Sequence, residues 1–273
     1  MAEIPGAVRR LALHPFSELP PAPGWRIFDR PAFRLFLNRE QNAQPVEPIE
    51  LDAGGVAETV HEVRRLVREH GQVEQIAWLL APEYSGLARA FEDAGLCNAK
   101  TPGFEPVENA FVLVEPPTGS VPGDVEVSVV SSLEEYRADF MVQAEAFFLP
   151  GELQDKFLSE IEDRYADHCA PGSRTVVLNA SIAGEVVGTA VAGCGAAGIN
   201  LFGAVALESA RGRGVYRALT HKRWEIAVEL GTPALAIQAG RMSAPIVKRL
   251  GFQKIGEILV YADEAGRPDG SHR

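Results

Sequence analysis

Apolar positions along this chain keep two different rhythms. Short apolar or alternating runs stand at 32–38, 75–80, 109–115, 124–130, 174–180, 185–192, 199–207, 234–239 and 254–262, and each predicts a strand. Between them, apolar residues recur at three- and four-residue spacing and predict helices over 56–70, 86–94, 133–148, 152–168, 217–230 and 243–250. Val56, Val60, Val63 and Val67 make one such stripe. Leu133, Tyr136, Arg137, Phe140, Met141, Ala144, Phe147 and Phe148 make another, with the Arg137 stem lying along it. On 152–168, Leu153, Phe157 and Ile161 face inward. Gly71, Gly95, Gly231 and Gly251 end elements where a left-handed residue is wanted. Ser85 is placed to cap the helix that follows it, and Pro45 with Pro48 punctuates a loop.

Strands and helices in this alternation predict an α/β (α+β) protein. Six prolines within the first 31 residues make 1–31 an irregular lead-in. The stretch Pro116-Pro117-Thr118-Gly119-Ser120-Val121-Pro122-Gly123 breaks the pattern, and strands resume beyond it. The expected division is therefore a smaller domain over 32–119 and a second over 120–273. A length of 273 residues accommodates both. An apolar fraction of 46% and a charged fraction of 23% describe a soluble globular chain. The net charge of −11 argues against a nucleic-acid or anionic-membrane partner. Cys97, Cys169 and Cys194 have no metal-ligand spacing and make no even disulfide set, so no metal site is expected and the compartment expected is the cytoplasm. No leader pattern opens the chain, and no apolar run is long enough to span a membrane.

The second half is organised around residues 198–231. An apolar strand runs through Glu208-Ser209-Ala210 into Arg211-Gly212-Arg213-Gly214-Val215-Tyr216, and a helix follows. Two alternating glycines let backbone approach a ligand closely. The start of the helix adds unpaired N–H donors and the positive end of its dipole, and Arg211 and Arg213 add full charges. No Gly-Lys-Ser or Gly-Lys-Thr follows, and Arg217 occupies the third glycine position of a dinucleotide fingerprint. What remains is a turn suited to a diphosphate, or a plain connection.

Arg211-Gly212-Arg213-Gly214 after an apolar strand resembles the coenzyme A loop of the GNAT superfamily of acyltransferases. The element order over 124–262, with Leu250-Gly251-Phe252 closing the short helix, is also similar to that family's. The resemblance implies a mixed central sheet flanked by helices and transfer of an acetyl group from acetyl-coenzyme A to the amine of a small molecule. It implies that the pantetheine arm lies along Val205, Ala206 and Leu207, and that the diphosphate sits over Arg211, Gly212, Arg213, Gly214, Val215 and Tyr216. Residues 32–115 echo the same order, with Leu51-Asp52-Ala53-Gly54-Gly55-Val56 in place of the arginine–glycine loop. They read either as a degenerate GNAT-like unit that binds no coenzyme or as an unrelated α/β extension.

The chain departs from the family's pattern where protons move. Val247 stands where many members carry a tyrosine, and Gly240 where an asparagine is frequent. Ser243 and Tyr216 are the candidate donors, the first equally a helix cap and the second equally a packed ring. Glu145, Glu152 and Glu208 are candidate bases or acceptor contacts that also read as solvated carboxylates. Phe147, Phe148, Leu149 and Tyr165 gather at the helix break and point to an apolar or aromatic amine, or to core packing. His168 and Cys169 do not form a nucleophile pair, because sequence neighbours on a helix diverge. Three functions stay open: an N-acetyltransferase, a catalytically silent coenzyme-A-binding sensor or interaction module, or a scaffold that binds no nucleotide. A homodimer is among the assemblies left open.

Overall fold

Glycine stops and apolar runs resolve into twelve strands and eight α-helices in a computed structural model that describes residues 3–19, 24–38, 43–70 and 75–263. The expected stop at Gly71 and the tail beyond 263 lie outside the described residues. The elements are α1 (Gly6–Leu13), β1 (Arg26–Asp29), β2 (Phe33–Leu37), β3 (Ala43–Pro48), α2 (Val56–His70), β4 (Gln75–Leu80), α3 (Ala88–Asp93), β5 (Cys97–Asn98) and β6 (Val107–Leu113). They continue with β7 (Glu126–Val129), α4 (Leu133–Ala146), α5 (Gly151–Ser159), α6 (Ile161–His168), β8 (Thr175–Ile182), β9 (Glu185–Gly195), β10 (Gly198–Ala206), α7 (Val215–Glu229), β11 (Leu235–Ala239), α8 (Ala244–Arg249) and β12 (Gln253–Asp263). No helix among the described residues is long and apolar enough to cross a membrane.

Two compact units result, one holding Met1–Leu11, Val112–Ile237 and Val247–Gln253, the other Ala12–Phe111, Gln238–Ile246 and Lys254–Arg273. In the first, β7, β8, β9 and β10 pair antiparallel in chain order. Ala183 and Gly184, both with positive φ, make the tight turn between β8 and β9. β10 then runs parallel to β11, and the pairing covers only Ile199 with Leu235 and Asn200 with Ala236. Beyond Asn200 the two strands part, so β10 keeps β9 as its partner on one side only. The β9 register slips between Phe202 and Ala204, leaving Gly203 as a bulge. Thr189 on β9 meets Asp139 of α4, while a Cβ on neighbouring Gly188 would meet Val215 of α7. Successive strand residues face opposite ways, so α4 and α7 cover opposite faces of this sheet.

In the second unit, β1, β2 and β3 pair antiparallel, β3 pairs parallel to β4, and β12 pairs antiparallel to β4 and to β5. Ile76, Trp78 and Leu80 face the stripe of α2, and Ala77 and Leu79 face Leu13, Phe16 and Phe104. Arg64 of α2 grips the buried Asp263 carboxylate with Nε and Nη2 at 2.9–3.1 Å, fixing the helix to the end of β12.

Several sequence expectations need correction. The lead-in holds α1 and β1, because prolines flank the helix without interrupting it: the Pro5 carbonyl accepts the amides of Val8 and Arg9 at 3.0 and 3.1 Å. Residues 43–48, expected as a loop, form β3 with all six positions buried, and that burial outweighs the ladder bonds the prolines forgo. Ser85 caps nothing; it sits in a 3-10 turn and its hydroxyl donates to the Pro82 carbonyl at 2.7 Å. The helix expected over 152–168 breaks at Glu160, whose amide closes a tight turn on Phe157 at 3.1 Å. That change of direction lets Phe157 stack on Phe140 at 3.7 Å while Ile161 is buried. On α4 the buried face is Asp139, Phe140, Val142 and Ala144, and Met141, Phe147 and Phe148 are exposed, as is Leu153 of α5. Asp139 rotates the face inward because it bonds both Thr189 and Gln143.

Candidate functional site

The corner from β10 to α7 is built by successive backbone choices. The Leu207 amide closes the strand on Val187 at 2.8 Å, and Glu208–Ala210 makes one 3-10 turn with Ala210 buried. Gly212 and Gly214 then take φ of +79° and +80°, a region most side chains avoid. Gly214 is the N-cap of α7, and Val215 is buried against β9. The Arg211 and Arg213 amides close on Glu208 and Ala210, and the helical ladder starts with Ala218 on Gly214. The first-turn amides of Val215, Tyr216 and Arg217 precede that ladder, have no backbone partner among the described residues, and are the donors the corner offers.

Residues 118–124 lie alongside. Pro122 is so close that a Cβ on Gly214 would stand 2.5 Å from its Cγ. Arg217 donates to the Ser120 carbonyl at 3.1 Å, and Arg213 pairs with Asp124 at 2.6 Å. The Arg213 guanidinium holds the Asp124 carboxyl below its ordinary range. Arg211 is 66% exposed and only loosely near Glu208, at 3.9 Å. Val205, Ala206 and Leu207 are half-buried and lead into this corner along the strand edge that β11 leaves unpaired.

Tyr216 turns along the helix. Its ring lies 5.9 Å from the Arg223 guanidinium, and burial raises its phenol while Arg223 pulls it back. Arg223 is fully buried, donates through Nε to the Leu219 carbonyl, and has no partner for Nη1 or Nη2 among the described residues. Burial lowers its pKa. Ser243 donates to the Gly240 carbonyl at 3.4 Å and belongs to the second unit. Val247 is wholly buried, and Glu145, Glu152 and Glu208 are exposed. His168 stacks on Tyr136 while Cys169 is exposed, so the two remain apart in role. No cluster of three metal-ligating side chains occurs among the described residues.

Asp139 was hidden from the sequence. Its carboxyl accepts from Thr189, its other oxygen accepts from Gln143 at 2.8 Å, and burial lifts its pKa to about 7. Asn179, opposite Thr189 across the sheet, donates to the Glu135 carbonyl and has no partner for Oδ1 among the described residues. An acid beside Phe140 but off the expected apolar stripe looks solvated in sequence, and only the sheet beneath it reveals its role.

The matching corner of the second unit is closed. Neither Gly54 nor Gly55 has positive φ, and the Gly55 amide donates to the Asp52 carboxylate at 2.9 Å. A fixed negative charge thus occupies the helix start. Its parallel strands pair at four successive positions, from Ala43 with Gln75 to Val46 with Trp78.

No family model matches the chain, and no curated protein matches it in sequence. Solved structures do match in three dimensions. A GCN5-related N-acetyltransferase from Kribbella flavida superposes with a TM-score of 0.70 at 17% identity, over 99% of this chain and 98% of that one. A GCN5-related N-acetyltransferase from Sphaerobacter thermophilus gives 0.58 at 18% identity, over 87% and 78%. A tandem GNAT protein from the clavulanic acid biosynthesis pathway gives 0.60 at 15% identity, over 98% and 91%. The fold is that of the GNAT proteins, in a tandem-like arrangement.

Proposed function

We propose that this GNAT-fold chain transfers an acetyl group from acetyl-coenzyme A to the amine of a small molecule. The β10–α7 corner carries the reading: left-handed glycines, free first-turn amides and exposed arginines stand where an opened strand edge ends. Gly212, Gly214, Val215 and Tyr216 would hold the diphosphate through backbone, with Arg211 and Arg213 adding charge. Val205, Ala206 and Leu207 would pair their free main-chain groups with the pantetheine amides. When bound, the coenzyme supplies an acyl thioester activated toward amines. The bulge at Gly203 takes backbone out of the ladder near the point where the strands part, a source of N–H groups for a developing oxyanion. The burial of Tyr216 beside Arg223 favours a packing role for it, and solvent would carry the protons.

Residues 120–273 would be the catalytic half and 32–119 the half whose corner Asp52 keeps closed. The cytoplasm supplies the donor. Val247 and Gly240, at positions where the family often has tyrosine and asparagine, favour the second reading, a silent coenzyme-A-binding module.

Calorimetry with coenzyme A, followed by thiol release with a panel of amines, tests both readings. Arg211→Ala with Arg213→Ala is expected to weaken coenzyme binding about tenfold, as loss of charge-assisted bonds at an exposed site should. Unchanged heats would remove both readings, and binding without thiol release would favour the silent module. Asp124→Asn should act in the opposite direction. It frees Arg213, and coenzyme A should bind about two- to threefold more tightly at low salt. No gain would mean that Arg213 does not reach the ligand.

A further inference from the structure

Helix α7 buries a charge that packing alone does not call for. Arg223 is wholly buried, and its Nε donates to the Leu219 carbonyl at 3.2 Å. Nη1 and Nη2 have no partner among the described residues. Orphaned donors on a buried cation are costly, and an apolar side chain of similar length would fill the same place without them. What the guanidinium does have beside it is the Tyr216 ring, 5.9 Å away. The two residues share one face of α7, because seven residues make about two turns. Thr220 stands between them on that face and donates its hydroxyl to the Tyr216 carbonyl at 2.8 Å.

The place of that ring matters because Tyr216 is the second residue of α7, and its amide is one of the three first-turn donors. In a helix the Cα–Cβ bond tilts toward the N-terminus, and a long side chain covers the turn before its own. For Tyr216 that turn is residues 212–215, the corner itself. Left to this tendency the ring would lie across the donors. It lies instead beside a guanidinium that comes from two turns further along the helix.

We propose that Arg223 is a positioning residue for the β10–α7 corner: its guanidinium holds the Tyr216 ring along α7, clear of the first-turn amides, so that a diphosphate reaches them. The assignment rests on the coenzyme reading and adds a residue that touches no ligand.

Tetranitromethane nitrates accessible tyrosine rings, and peptide masses report each ring separately. In Arg223→Met, Tyr216 should be nitrated about fivefold faster than in wild type, as a ring released from its cation should. Tyr261, buried in the second unit, should stay protected. Calorimetry should show coenzyme A binding about tenfold more weakly to Arg223→Met, the preference that a desolvated cation–π contact supplies. Urea unfolding should show no loss of stability, since the orphaned donors are gone. Arg223→Lys, a poorer partner for a ring, should show the nitration and affinity changes at about threefold. With Tyr216→Ala there is no ring to hold, so adding Arg223→Met to it should change affinity by less than about twofold. Unchanged nitration of Tyr216, an equal rise at Tyr261, or the full loss of affinity in the Tyr216→Ala background would overturn the assignment. The two failures are distinct. The expected nitration in a chain that binds no coenzyme A would remove the coenzyme reading and leave the hold on the ring standing. Unchanged nitration, with coenzyme A bound equally by wild type and Arg223→Met, would remove the hold alone.

Discussion

Gly214→Val is expected to weaken coenzyme A binding by more than a hundredfold and to destabilise the chain by about 3 kcal/mol, while Gly212→Ala costs about 1 kcal/mol and about fivefold in affinity. The two glycines have nearly equal left-handed φ, +80° and +79°, so strain alone does not separate them. Their surroundings do. Nothing lies within 4 Å of a Cβ built on Gly212, whereas one on Gly214 would stand 2.5 Å from Pro122 Cγ and 3.1 Å from its Cδ. Pro122 cannot retreat cheaply. The Thr118 amide bonds the Leu250 carbonyl at 3.0 Å and its hydroxyl bonds the Arg249 carbonyl at 2.7 Å. Arg217 and Arg213 tie Ser120 and Asp124 to the helix start. A side chain at Gly214 must displace either this segment or the first turn of α7, and the free amides move with the turn. Urea unfolding and calorimetry check the pair. Wild-type affinity in Gly214→Val would mean that the corner is not where the ligand binds.

A second large effect is expected at Asp139. Burial raises its pKa from 3.8 to about 7, so the folded chain holds this proton where the unfolded chain releases it. The stabilising contribution is complete below pH 4 and is lost as pH rises toward and through 7. The full swing is about 4 kcal/mol at most. A carboxamide at this position mimics the neutral acid, so Asp139→Asn should equal wild type near pH 4 and exceed it in stability by about 2–4 kcal/mol at pH 8.5. With the new NH2 turned toward Thr189, the Gln143 amide goes on donating to the remaining oxygen, and the Thr189 hydroxyl accepts from the NH2 and is free to donate toward Asn179, whose Oδ1 has no partner among the described residues. Urea titrations of both chains from pH 4 to 8.5 measure the difference. Parallel stability curves would show that Asp139 is ionised throughout.

Much of the architecture was readable because local rules agreed with global packing. Val56, Val60, Val63 and Val67 lie on one buried stripe as their spacing requires, and Gly95, Gly231 and Gly251 all take the positive φ that ends an element. The glycines of the β10–α7 corner were equally visible, since few other residues could occupy those angles. The parting of β10 from β11 was not, because it depends on which residues pair and not on which residues they are. Glu160 breaks a helix without glycine or proline, and β3 forms despite two prolines; burial decided both. Asp139 and Arg223 were missed for one reason. A charged residue on a helix reads as solvated, and only the sheet beneath it can bury it.

The contact between Gly188 and Val215 has a thermodynamic consequence. A Cβ at Gly188 would lie 2.5 Å from Val215 Cγ1 and 3.0 Å from the Val205 carbonyl, so the first residue of α7 is keyed into the sheet. The neighbouring donors are fixed when the chain folds, and a guest arriving there has no wandering loop to quieten. Its association should be fast and little dependent on induced fit, with the entropic cost of ordering the receptor already met during folding.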